Sequence, residues 1–477
     1  MSFFEVADAA VAAAIEAGAR YADARVMHRR YESMSVRNTE VEDLTQTEDA
    51  GIGVRALVGS SWGFHALPDL TEAGARRAGR AATEIARASA RVPGPPLELV
   101  EVEVRVDSWA NPCRIDPLSV SLSEKGDLLV ETTRLMVEHG ADIAEASYSI
   151  WDARIWFTSS AGHRIEQHIR KCGAGSSATA IGEHETQRRS SPRQYGTAGW
   201  ELVEDLDLIG SAPQLASEAR ALLTAPPCPE GTTTLILGSE QMALQIHESV
   251  GHAVELDRIL GWEAAFAGTS WLDLSQLGNL QYGSPLMNIT ADPTIPGALG
   301  SFGYDDEGTP AAPRDIVRDG IWVGVLAGRD SAAVAGLDYA GSVRSDGWAR
   351  LPMVRMTNVG LLPGPHSLEE MIAETSEGVF METNRSWSID DKRLNFQFGC
   401  EIGWEIRNGK RGRMLRNPTY TGIGPVFWRS MDMLGGADEL IVWGTPNCGK
   451  GQPSQIGHTG HPAVPARFTN VRVGVRG

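Results

Sequence analysis

The sequence predicts an α+β protein: an N-terminal mixed α/β domain with antiparallel strands, then a C-terminal β-rich domain carrying one chemically conspicuous helix. Three observations predict it. Helix-period and strand-period stretches follow one another twice before residue 225. The Pro-rich "TAPPCPEG" (224–231) then interrupts all periodicity. Beyond it, short β-branched runs and turn pairs dominate.

Residues 3–18 fit an amphipathic helix. "DARVMHRRYESMSVRNTEVED" and "AGIGVRALVGSSWGFHA" alternate apolar and polar residues, which predicts an antiparallel meander with a hairpin near Gly59-Ser60. An Ala/Arg-rich helix follows over roughly 71–91, and "RVPGPPLE" (91–98) is a connector. The order then repeats. Residues 119–138 look helical, "ASYSIWDARIWFTSSAGHRIEQHI" reads as strands around Ser160-Ala161-Gly162, and 213–223 make another helix. Residues 1–225 are therefore expected to form one domain of two similar segments, 1–95 and 110–225, with 230–477 as the second. There "TTTLILG" is a β-branched strand, and Ser239 reads as the N-cap of the next helix. Asp319-Gly320 and Asn408-Gly409 are the favoured pairs of two-residue hairpins.

A net charge of −18 disfavours nucleic acid or an anionic membrane as partner, since both call for a basic footprint. No stretch approaches the roughly 18 apolar residues of a membrane span, and the start lacks the basic and apolar regions of a signal peptide. Cys113, Cys172, Cys228, Cys400 and Cys448 are odd in number and lack a C-x-x-C pair. A cytoplasmic protein with reduced thiols is expected.

"QIHESVGHAVELD" (245–257) puts His247, Glu248 and His252 into six positions. Residues five apart lie about 140° apart around an ideal α-helix, so both histidines reach one ion only if the helix takes in an extra residue, as a π-bulge does. Gly251 is where that distortion costs least. Against a metal stands an ordinary helix whose buried stripe is Met242, Ile246, Val250 and Val254. With 11 histidines, the spacing arises by chance in about 2 of 100 such chains. A catalytic zinc site takes three protein ligands. Candidates for the third are Glu255, Asp257, His458, His461 and Cys448, which Gly449 and Gly451 leave room to approach and Lys450 would hold as thiolate.

Taken with their neighbours, these residues resemble the TldD/PmbA family of zinc peptidases. "HESVGHAVELD" is similar to the family's H-E-x-x-G-H-x-x-E-x-D signature, and "FGYDDEGTP" (302–310), "RLPMVRMTN" (350–358) and "CGKGQ" (448–452) are similar to further blocks in the same order. In the first half "DARV", "SVRNTEVED", "GIGVRAL" and "WGFHA" match more loosely. Arg258 and "NRSWSIDDKRLNFQFG" (384–399) fall outside it.

The resemblance implies one zinc per active subunit on His247, His252 and Cys448, with Glu248 as catalytic base. It implies a homodimer, or a heterodimer with a related metal-free subunit, enclosing a peptide substrate. Because every motif residue is present, this chain looks like the active type. The expected chemistry is metal-assisted amide hydrolysis, with Glu255 or Asp257 orienting a histidine and His458 and His461 as candidate oxyanion or substrate contacts. The competing expectation is a non-catalytic or regulatory partner subunit. Asp305-Asp306-Glu307-Gly308 reads physically as a solvated acidic turn, or else as a substrate-facing loop.

Overall fold

The computed structural model describes residues 1–474 except 93, 95, 192, 193 and 267, so two prolines of the predicted connector lie outside the described residues. Ser2 accepts a hydrogen bond from Glu5 N and Glu5 returns one to Ser2 N, a capping box that starts helix Phe3–Glu16. Strands Tyr21–Arg37, Glu40–Val58 and Ser61–Leu67 form the predicted meander. Helix Glu72–Ser89 then packs on the first helix so closely that a Cβ at Gly79 would lie 2.1 Å from Ala10 O.

The second segment repeats the scheme. A capping box between Ser121 and Glu124 starts helix Leu122–Glu138, and strands Ile143–Ser159 and Arg164–Ile181 follow. Tyr21–Arg37 pairs with Ile143–Ser159 from Asp23↔Ser159 to Arg37↔Glu145, which joins both segments in one nine-stranded sheet. Its far edge is completed by Gln194–Thr197 and by Gly297–Ala298, a contribution from the C-terminal half.

The predicted helix at 213–223 begins earlier, at Leu208, and carries Pro213 inside it. Asp207, with φ 44°, accepts from Gly210 N, so this cap and not the proline sets the start. Short helix Glu201–Asp205 was not predicted.

A seven-stranded sheet organises the C-terminal half, with Gly231–Leu237 between Glu377–Ile389 and Ala466–Val473. Both hairpin pairs hold: Asn408 and Gly409 have φ 48° and 72°, and Asp319 and Gly320 have φ 49° and 80°. Ser239 is not the N-cap. It is the first helical residue, Gly238 caps, and the Ser239 hydroxyl instead accepts from Trp443 Nε1 at 3.3 Å. Among the described residues no helix is long and apolar enough to cross a membrane.

The acidic turn is not solvated. Asp305 and Glu307 are buried, and Arg25 and Arg55 from the first sheet reach across to Asp306 at 2.5 Å and Glu307 at 3.1 Å. Arg55 also pairs with Asp23 at 2.5 Å. Removing one member of such a buried group leaves its partners charged and unmatched. Arg55→Met is therefore expected to cost about 3–5 kcal/mol of stability, read by urea denaturation. A loss below about 1 kcal/mol, the level of an exposed pair, would show that the carboxylates find other partners.

Candidate metal centre

Helix Ser239–Ile246 leads straight into a π-helical turn, His247–Gly251, in which His252 N donates to His247 O at 3.1 Å. This is the extra residue that the spacing called for, and it turns His252 back to the side of His247. The predicted stripe of Met242, Ile246, Val250 and Val254 is fully buried beneath. Gly251 has an ordinary backbone, so its role differs from the expected one: a Cβ there would lie 2.1 Å from Met356 Sδ. Tyr282 supports the turn by donating its hydroxyl to Ser249 O at 2.5 Å.

Cys448 arrives from strand Ile441–Lys450, which bulges between Thr445 and Cys448 against its partner Gln455–Ala463. Its Sγ lies 3.4 Å from His252 Nε2. Ligand atoms of His247, His252 and Cys448 all fall within 4.8 Å of one another, and all three residues are buried. Among the described residues this is the only such cluster of His, Cys, Asp and Glu.

The far nitrogen of each histidine is occupied. His252 Nδ1 donates to Glu255 Oε2 at 2.9 Å. His247 Nδ1 lies 2.8 Å from His461 Nε2, and His461 Nδ1 lies 2.9 Å from Val359 O. A carbonyl can only accept, so His461 carries its proton on Nδ1, His247 donates from Nδ1, and His247 Nε2 keeps a free lone pair. Burial holds His247 and His252 below the ordinary imidazole value, so both are neutral, as ligation requires. Burial pushes the Cys448 thiol up, but His252 and Arg355 outweigh it and the net shift is down.

Lys450 does not hold the thiolate. Its ammonium turns to Asp257, at 2.8 and 2.9 Å, and to Val354 O at 2.8 Å. Glu255 lies 3.4 Å from Lys450 and 3.6 Å from Arg258. Burial raises Glu255, but Lys450 and His252 pull it well below the carboxylate range. Glu255 thus grips His252, whereas Asp257 anchors Lys450 and touches neither histidine. Both nitrogens of His461 face protein atoms, leaving no donor for an oxyanion. His458 is elsewhere, against Trp151 and Lys171.

Glu248 accepts from Arg393 Nη1 at 2.6 Å. Arg393 was missed, because 145 residues separate it from Glu248 and its own stretch reads as a charged turn. The group opens on a cavity of about 1070 Å³, lined also by Thr186, Arg188, Ser190, Thr383, Trp387 and Asn447. Thr383 has φ 60°, a strained conformation for a β-branched residue and one that concentrates at functional sites.

Glu240 also lines the cavity, where burial and then Glu401 push it up to about 8. The folded state therefore holds a proton that the unfolded chain releases near 4.5, and stability falls as pH rises from there to about 8. Glu240→Gln should flatten that part of a melting-temperature profile. An unchanged profile would remove Glu240 as its source.

The chain matches two family models: the PmbA/TldA metallopeptidase C-terminal domain over residues 230–474 and PmbA/TldA metallopeptidase domain 1 over 22–86. A metalloprotease of Methanocaldococcus jannaschii is 29% identical over 84% of this chain and 86% of its own length. A metalloprotease TldD homolog of Haemophilus influenzae is 27% identical over 93% and 91%. In fold, a Thermotoga maritima protein described as a proposed modulator of a DNA gyrase superposes with a TM-score of 0.79, at 17% identity, over 99% of this chain and all of that one. TldE from Thermococcus kodakarensis superposes with 0.71, at 15% identity, over 97% and 98%. The C-terminal model alone spans more than half of the sequence and contains every member of the His/His/Cys cluster, and on that ground the chain belongs to the PmbA/TldA metallopeptidase family.

Proposed function

We propose that the chain is a zinc-dependent peptidase acting on unfolded or extended peptides, with His247, His252 and Cys448 as ligands and Glu248 as general base. The observation that carries this is the convergence of three ligand atoms beside a carboxylate, at the wall of a large cavity. The donor set fits zinc: bond lengths of about 2.1 Å to nitrogen and 2.3 Å to sulfur, at a tetrahedral angle, place N and S about 3.6 Å apart. The observed separation is 3.4 Å. When bound, the ion supplies Lewis acidity and brings a water molecule's pKa towards 7.

The rest is done by the chain itself. Glu248 takes the proton of the attacking water and returns it to the leaving amine nitrogen. Arg393 holds the Glu248 carboxylate by one oxygen and leaves the other for that proton. His461 and Glu255 aim the two imidazoles from behind. Among the described residues, edge strand Thr186–Ser190 pairs only with Arg164–Ile181, and it turns Thr186, Arg188 and Ser190 to the cavity. Glu401 Oε2 already takes the Ser190 N–H at 2.7 Å, and the remaining outward backbone groups of this edge suit a substrate added as a further strand.

The reading carries with it one zinc per active subunit, two domains with a boundary near 225–230, a cytoplasmic setting, and a homodimer or a heterodimer with a metal-free relative. Its test offers one stable domain in native and in denatured form. Only the denatured form should be cut, a chelator should stop cleavage, and zinc should restore it. Equal cleavage of both forms would point to an open cleft, and chelator-insensitive cleavage would end the metal reading.

A further inference from the structure

A second cavity of about 480 Å³ lies where the first sheet faces the C-terminal half. Tyr31, Trp151 and Lys171 stand opposite one another on three neighbouring strands and form its floor. Arg344, Arg355 and His458 close it from the other side.

Its charges do not balance. Each lining carboxylate has its own arginine: Asp49 with Arg29 at 2.6 Å, Asp152 with Arg30 at 3.4 Å, Asp306 with Arg25 at 2.5 Å, and Asp346 with Arg350 at 3.6 Å. Lys171, Arg344 and Arg355 line the same space and form no ion pair among the described residues. The nearest partner of Lys171 Nζ is His458 Nδ1 at 3.5 Å, an atom without charge. Arg344 gives its Nη atoms to the carbonyls of His458 and Met356, Arg355 to those of Gln455 and Cys448, and neither Nε–H has an acceptor. Burial and then Arg344 push the Lys171 ammonium down to about 7, against a smaller upward pull from Asp306.

A cluster of three cations, Arg355 buried and Lys171 and Arg344 partly so, with spare ammonium donors on Lys171 and a wall of Tyr31, Trp151 and Ile169, is built to receive negative charge on an apolar body. We propose that this second cavity binds the oxyanion of a small organic molecule or chain end, a carboxylate or phosphate carried on an apolar or aromatic group. The site also adjoins the metal cluster, since Pro446 lines both cavities and Arg355 grips the carbonyl of Cys448. Binding there needs neither metal nor turnover, so it stands apart from the peptidase reading.

The test is calorimetric titration of the full chain with N-acetylphenylalanine, with its amide, and with phenyl phosphate. The acid or the phosphate should bind, and the amide at least about tenfold more weakly, because it lacks the charge. Whichever anion binds more tightly names the source, a chain end or a phosphate ester. Lys171→Met should abolish binding and, having shed an unmatched cation, melt no lower than the parent without probe. Lys171→Arg should keep binding. Equal affinity for acid and amide, no heat from any probe at millimolar concentration, or undiminished binding by Lys171→Met would overturn the proposal.

Discussion

Glu248→Gln keeps the metal and loses turnover by about 10²–10⁴-fold, the usual contribution of a positioned general base. The substitution is nearly isosteric at a residue only 6% exposed, and its amide oxygen still accepts from Arg393. What it lacks is an atom basic enough to take the water's proton. Both histidines keep their supports, since neither His461 nor Glu255 touches Glu248 in the hydrogen-bond network. Metal content by mass spectrometry and single-turnover cleavage of an unstructured peptide measure the two properties separately. Parental activity would dismiss Glu248 as the base. Loss of metal along with activity would instead make its role that of a ligand or a structural prop.

Cys448→Ser should weaken zinc by at least the roughly 10–100-fold that loss of an outer partner costs, because it removes a ligand outright. A serine hydroxyl is harder, far less acidic and shorter in reach than the thiolate that His252 and Arg355 favour here. The Arg355 bond to the Cys448 carbonyl does not depend on the side chain, so the strand should stay in place. Competition against a chelator of known affinity gives the number. Unchanged affinity would remove Cys448 from the ligand set.

The local parts of this architecture were legible. Asn408-Gly409 announces its turn because only a few residue pairs accept two left-handed conformations, and two histidines five apart can share one ion only through a widened turn, which the helix has. What stayed hidden depends on contacts between distant positions. Arg393 reaches Glu248 across 145 residues and Lys450 reaches Asp257 across 193. Nothing in the stretch around Cys448 distinguishes Lys450, which turns away, from Arg355, which takes over its expected part. The acidic turn at 305–308 was misread for a related reason: its counterions are Arg25 and Arg55, on strands from the far end of the chain. His461 reads from the sequence as a possible third ligand or oxyanion contact; its place behind His247 follows only from Val359 O.

That carbonyl has a consequence for how the centre can change over time. The row Val359–His461–His247 is a one-way wire: with His461 held neutral by burial, every proton in it points away from His252 and Cys448, because the last link is a main-chain oxygen that no point substitution can delete or ionise. Replacing other side chains leaves that anchor intact, whereas replacing or protonating His461 would break or reverse the row. Which nitrogen of His247 keeps its lone pair is thus set by the path of the backbone, for as long as His461 stays neutral and in place.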